Sequence, residues 1–302
     1  MFAIMGITGQ VGGAVARTLL QAGHAVRGVV RNPAKAAAWA EKGATLAVAD
    51  QSDPAALSAA LTGVEGAFVM LPPNFAPLPD FGEARVLIDV LRSALVAAAV
   101  PRVVCLSSIG AHLDHGLGII TPLHLLEQAL ATLSMPLAFL RPGWFMENVA
   151  WDVQPAFDTG RLASFLQPLD RPVPMVATDD IGGVAAGTLA RPWSGHRVIE
   201  LEGPDRYAPL NVAAALSTIV RRPVRATAVP RAEWLQAFEA QGATAPSAAL
   251  RAEMLDGFNS GHIEFAGTPG TEQLRGRTTL VRAVAQLVSR GGAGITSRQA
   301  DV

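Results

Sequence analysis

The chain has 302 residues, half of them hydrophobic, with a formal net charge of −1. That balance gives no electrostatic footprint for nucleic acid or an anionic membrane surface, and charges or prolines break every long apolar stretch before it could span a bilayer. The single cysteine, Cys105, excludes an internal disulfide and sits in the apolar run 103–106, the setting of an inert buried thiol. The opening residues enter a strand at once without a leader signal, so the expectation is a cytoplasmic protein, monomeric or homodimeric, without nucleic-acid or membrane partners.

Residues 2–5 predict a first strand. Gly6-Ile7-Thr8-Gly9-Gln10-Val11-Gly12 follows as a glycine turn, and 12–22 reads as a helix. Strand, glycine turn and helix in that order form a site for a dinucleotide pyrophosphate. Glycines let the backbone approach the phosphates, and the free amides of the helix face the anion. The spacing is G-x-x-G-x-x-G, and its place before a regular strand/helix alternation is what gives it weight.

The alternation continues with a strand at 25–30, a helix at 33–42, and a strand at 45–49. A helix over 53–61 is capped by Ser52 or Asp53, and a strand runs over 66–71. A long helix over 81–99, a strand at 102–107, a helix over 123–133 and a strand at 137–141 complete the pattern. The strands are apolar throughout, as strands covered on both faces should be. Helices are expected beyond residue 150 at 181–189, 212–220, 231–240 and 280–288, with strands at 198–202 and 224–228. The fold class is α/β, a Rossmann-type doubly wound parallel sheet with a smaller C-terminal substrate-cap region. The expected division is a dinucleotide-binding domain over 1–150, a cap region over 151–288 partly interleaved with the sheet, and a flexible tail over 289–302.

Enzymes that use NAD commonly carry a carboxylate at the end of the second strand, where it bonds the ribose hydroxyls. Here that segment is Arg27-Gly28-Val29-Val30-Arg31-Asn32-Pro33 and holds none. Arg31 stands where a 2′-phosphate would lie, with Lys35 one turn on, so NADP(H) is expected over NAD(H). A solvated loop arginine is the plainer alternative. Asp50 ends the third strand, either against the adenine edge or in the turn that starts the next helix. Leu71 and Pro72 would wall the coenzyme, and Ser107 and Ser108 end the fifth strand at the same crevice.

These segments, together with Leu106-Ser107-Ser108-Ile109-Gly110, Leu140-Arg141-Pro142-Gly143-Trp144-Phe145-Met146-Glu147-Asn148 and Asp179-Asp180-Ile181-Gly182, resemble the NmrA-like branch of atypical short-chain dehydrogenases/reductases. The resemblance covers roughly residues 1–230. It implies a coenzyme site that includes Pro142, and it implies that Trp144, Phe145 and Asn148 lie near the nicotinamide and the substrate. The branch includes NADPH-dependent quinone and azo-dye reductases, ether reductases and redox-sensing regulators without turnover.

The proton donors of relatives are missing. Tyr207 is the only tyrosine and Lys35 and Lys42 are the only lysines, so a Tyr-x-x-x-Lys acid is excluded. The ether-reductase lysine is also absent from the segment Thr121-Pro122-Leu123-His124. What remains near the crevice is histidine: His112 and His115 in the glycine-rich loop 110–118, and His124, which is spaced to pair with Glu127. Each taken alone reads more readily as a plain residue, His112 and His115 in the loop and His124 on the helix surface or in a structural role, and no ligand spacing points to a metal. The reading is an NADPH-dependent oxidoreductase that passes hydride to a small apolar or aromatic electrophile such as a quinone, enone or related carbonyl compound. The alternatives are a non-catalytic NAD(P)H-binding sensor and an isomerase or cyclase on the same fold.

Overall fold

The computed structural model describes residues 1–74 and 76–291. Its first half alternates as the sequence predicts: β1 (Phe2–Met5), α1 (Gln10–Gln21), β2 (Val26–Val30), α2 (Ala37–Glu41), β3 (Thr45–Val48), α3 (Pro54–Leu61), β4 (Gly66–Val69), α4 (Gly82–Ala97), β5 (Val103–Leu106), α5 (Thr121–Leu130) and β6 (Leu137–Pro142). Asp53 supplies the cap of α3, accepting from the amides of Ala55 and Ala56 at 2.9 and 3.0 Å. The helix expected over 33–42 opens instead as a 3-10 turn, Pro33–Ala36, because Asn32 Oδ1 takes the Ala34 amide at 2.9 Å and tightens the start.

The second half contributes β7 (Trp144–Phe145), α6 (Ala150–Thr159), β8 (Arg161–Ser164), β9 (Val173–Val176), α7 (Thr178–Leu189), β10 (His196–Glu202), β11 (Arg206–Tyr207), α8 (Pro209–Val220), β12 (Arg225–Ala228), α9 (Trp234–Ala240), α10 (Ala245–Ser260), β13 (Thr271–Arg275) and α11 (Leu280–Gly291). The start of the expected tail is corrected: 289–291 continue α11, and 292–302 lie outside the described residues.

Eight strands form one sheet in the order β13-β10-β6-β5-β4-β1-β2-β3, and every ladder in it is parallel. The order runs one way from β1 to β3 and the other way from β1 through β4. The strand order therefore reverses between β1 and β4, and it is outside the carboxyl ends at such a switch point that open α/β sheets bind ligands. On one face Phe2, Ile4, Phe68, Val104 and Leu140 pack against α1 and α7. On the other, Met5, Val69, Cys105, Leu137 and Phe139 pack against α3, α4 and α5. Parallel strands need both faces covered, which is why these runs are apolar without alternation. Cys105 is fully buried, and burial pushes its thiol well above its usual range.

A third core gathers Met146, Val153, Met175, Leu216, Trp234, Phe238, Leu255, Phe258 and Val284 from the second half of the chain. Around it lie two small sheets, β11-β9-β7 and β12-β8. Among the described residues no helix is long and apolar enough to cross a membrane.

Candidate active site

β1 ends at Met5 and the chain turns through Gly6, whose φ of +65° lies in the left-handed region that glycine adopts without cost. The Gly9 amide donates to the Gly6 carbonyl at 2.9 Å and closes the turn. A β-carbon on Gly12 would stand 2.3 Å from that same carbonyl oxygen, so only glycine fits there. Gly9 is the N-cap of α1, no side chain caps the helix, and no carboxylate lies in its first turn. The amides of Gln10, Val11 and Gly12 are thus left to an outside acceptor, and the macrodipole favours an anion. The turn fits a pyrophosphate. Thr8 and Gln10 are exposed at its rim, while Val11 is buried beneath it.

Arg31, just past β2, and Lys35 are both exposed, and Arg31 has no hydrogen bond or ion pair among the described residues. Asp50 Oδ1 accepts from the amide and hydroxyl of Ser52 at 2.9 and 2.7 Å. Those bonds, with a smaller contribution from the Arg31 charge, hold its carboxyl below the usual range. Asp50 thus takes part in the turn before α3. Leu71 and Pro72 are half-buried after β4.

At the carboxyl ends of β5 and β6 the structure builds a cluster of three buried polar residues. Ser107 Oγ donates to Glu127 Oε1 at 2.5 Å. Arg141 donates from Nε to Glu127 Oε1 at 2.8 Å and from Nη2 to Oε2 at 2.5 Å. Ser107, Glu127 and Arg141 are 3%, 7% and 8% exposed. Buried charges persist where they are paired and hydrogen-bonded, and a bidentate fork meets both needs. Ser108 is half-buried beside them, and Pro142 is buried at the end of β6, its carbonyl accepting from the Ile109 amide at 2.9 Å.

This cluster corrects the expected His124–Glu127 pair, because Arg141 and Ser107 have claimed the Glu127 carboxylate. His124 Nδ1 instead donates to the Ala111 carbonyl at 2.9 Å, which leaves Nε2 as the free ring atom. His115 lies on the surface against Asp114 Oδ1 at 2.5 Å, and its carbonyl accepts from His262 Nε2 at 2.9 Å. His112 is exposed beside the buried cluster. Partial desolvation, and then the Arg141 charge, lower its pKa.

Trp144 and Phe145 form β7, paired with Met175 and Val176 of β9, and the Trp144 ring meets Phe258 edge-on at 5.2 Å. Both residues are half-buried and Asn148 is exposed. Glu147 accepts from the Thr178 amide at 3.0 and 3.1 Å and from its hydroxyl at 2.9 Å, which pins the segment to the start of α7. Burial raises its pKa against those bonds.

A model of the NmrA-like family matches residues 1–268. The chain belongs to the NmrA-like family. An NAD(P)H azoreductase of Xenophilus azovorans is 32% identical over 243 residues, 80% of this chain and 82% of that protein. Quinone oxidoreductase 2 of Escherichia coli is 28% identical over 292 residues, covering 95% and 98%. A crystal structure of the NADPH-dependent quinone oxidoreductase of that organism complexed with NADPH superposes with a TM-score of 0.78 at 26% identity, covering 95% of this chain and 100% of that one. The NmrA-like resemblance seen in the first 230 residues thus extends further along the chain.

Two features of this NmrA-like chain escape sequence reasoning. One is the pairing of Glu127 with Arg141, which only the packing of α5 on β6 brings about. The other is a cavity of about 410 Å³ bounded by Glu202, Arg206, Glu264, Phe265 and Arg275, at the β10/β13 edge of the sheet. Its arginines are already paired: Arg206 with Glu202 at 2.8 Å and Glu264 at 2.9 Å, and Arg275 with Glu202 at 2.9 Å. No residue of the glycine turn lines it.

Proposed function

We infer that this chain is an NADPH-dependent oxidoreductase that reduces a small, electron-poor, quinone-like acceptor. The observation that carries the reading is the glycine turn, where Gly12 leaves no room for a β-carbon and α1 begins without a cap. When bound there, the coenzyme supplies the hydride. The chain's own residues hold its pyrophosphate at the start of α1 and its 2′-phosphate at Arg31, and they wall it with Leu71, Pro72, Ser107, Ser108 and Pro142. The curated relatives named for azo and quinone chemistry support an acceptor of that kind.

Quinones stabilise their own developing charge, so a site without Tyr-x-x-x-Lys can work mainly by proximity and orientation. The second half of the chain would supply the cap, with Trp144 and Phe145 as the apolar wall and Asn148 at its mouth. His112, and His124 through its free Nε2, are the histidines that could relay a solvent proton to bound substrate. A regulator without turnover is the competing reading, favoured by the missing Tyr-Lys acid.

Fluorescence titration with NADPH and NADH, followed by coenzyme oxidation with a panel of quinones and enones, tests the proposal. Tight NADPH binding with quinone-dependent oxidation supports it. Coenzyme binding without turnover on any acceptor favours the regulator.

A further inference from the structure

The Arg141 guanidinium is only partly used. Nε and Nη2 are committed to Glu127, and among the described residues Nη1 meets no partner. Trp193 Nε1 is the one described side-chain nitrogen or oxygen that is both sealed from solvent and unpartnered. Arg141 Nη1 therefore keeps a path to solvent from an otherwise buried side chain. The pleat fixes the face of the sheet on which that side chain lies, beside the buried Glu200, its in-register neighbour on β10. Cys105 and Phe139 face α5, so Ser107 and Arg141, two residues on, face the same way at the carboxyl edge. There His112 is exposed and senses the Arg141 charge.

The neighbouring hydroxyl is not an equivalent donor. A carboxylate gripped by a guanidinium only accepts, so Ser107 spends its hydrogen on Glu127 and offers lone pairs to the crevice. Among the described residues, Arg141 Nη1 is thus the unspent cationic donor of the Ser107–Glu127–Arg141 cluster.

We propose that Arg141 Nη1 is the hydrogen-bond donor that holds the substrate oxygen on which negative charge develops, and that Glu127 is its positioning residue. The proposal rests on the reductase reading above. Acceptance of hydride moves a π-electron pair of the acceptor onto that oxygen; the coenzyme is oxidised, the acceptor is reduced, and a proton from solvent completes the hydroquinone. A charge-assisted donor fixed in advance in a low-dielectric site stabilises such charge without reorganising. Because the site lacks a tyrosine acid, this is where the chain's own contribution to the barrier would lie.

The test uses full-length protein loaded with NADP+ and 4-nitrophenol as a chromophoric stand-in for the product phenolate. The variants are R141K and the double change R141M/E127L, which removes both charges so that neither is left buried alone. The wild type should bind phenolate in preference to phenol, shifting the titration of the bound probe to lower pH. R141K should keep part of that shift and the double variant none. With quinone and NADPH, kcat of the double variant should fall roughly 10²-fold with NADPH affinity unchanged, the loss typical of one preorganised donor. A wild type with no preference for phenolate, or variants that match it in the probe titration, would overturn the proposal. If the double variant does not fold, R141K alone decides by the same shift. Phenolate preference that depends on Arg141 in a protein that reduces no acceptor would retain the donor site and refute the reductase reading.

Discussion

Gly182 of α7 lies so close to α1 that a β-carbon on it would stand 2.3 Å from the Ala14 Cβ. Arg17 of α1 reaches back to Asp179 at 2.8 Å, and Asp180 Oδ2 accepts from the amides of Arg277 and Thr278 at 2.9 and 2.8 Å. The Asp179-Asp180-Ile181-Gly182 segment thus braces the helix that begins at the glycine turn. Alanine at 182 gains helix propensity of about 1 kcal/mol but forces two backbones apart, and overpacking of that kind costs roughly 1–3 kcal/mol. The expected result for G182A is a lower melting temperature and weaker NADPH binding, both read from thermal unfolding with and without coenzyme. Unchanged values would show that α7 does not brace α1.

Gly12→Ala places a methyl group 2.3 Å from the Gly6 carbonyl oxygen, against backbone that cannot rotate away. Gly9→Ala meets the same oxygen at 3.3 Å, a contact that a small shift relieves. NADPH affinity should therefore collapse in G12A and fall far less in G9A. Fluorescence titration of both, with circular dichroism to confirm folding, checks the order. Equal affinities would detach the phosphate site from this turn.

The difference between these halves of the chain explains what could be read in advance. β1, β2 and β4 to β6 were legible because strands covered on both faces must be apolar, and glycine and proline punctuate them; β3, a half-exposed edge strand, kept the apolar Leu46-Ala47-Val48. β13 (Thr271–Arg275) is a half-exposed edge strand with no apolar run, so nothing in its composition marks it. β9 (Val173–Val176) hides behind Pro172 and Pro174, and α6 carries Pro155 inside it. α10 (Ala245–Ser260) buries Ser247, Ala248 and Ala252 among larger residues, a face too small-sided to show a stripe. In the site, the glycine turn and Arg31 were readable because strand, turn and helix are local. The partner of Glu127 was not: His124 is three residues away, but Arg141, 14 residues on, reaches it through the packing of α5 on the sheet and makes the stronger bidentate bond.

Arg31 has no hydrogen bond or ion pair among the described residues and acts on Asp50 only through its charge, so its replacement should be felt chiefly by the coenzyme. A charge-assisted contact to a phosphate is worth about 1.5–3 kcal/mol, roughly 10- to 150-fold in affinity. Arg31→Ala should weaken NADPH by that factor and leave NADH nearly unchanged, and Arg31→Lys should recover part of the loss. Titration of both coenzymes against all three proteins measures the ratio. Parallel losses for NADPH and NADH would remove Arg31 from the 2′-phosphate site.

Asp152 sits in the first turn of α6 with no hydrogen bond or ion pair among the described residues, and burial lifts its carboxyl from 3.8 to about 7. The sign of the effect follows. A folded-state pKa above the unfolded one means that the folded chain holds the proton longer. This residue therefore costs nothing below about pH 4, an increasing amount as pH rises toward 7, and a constant amount above. At 1.36 kcal/mol per unit the full cost is on the order of 4 kcal/mol as an upper bound. Asp152→Asn keeps the shape without the charge. It should raise the melting temperature at pH 8, by roughly 2–4 °C for each kcal/mol recovered, and leave it unchanged near pH 4. Thermal unfolding of both proteins across that range checks it. A difference that does not vary with pH would mean that the Asp152 carboxylate is solvated.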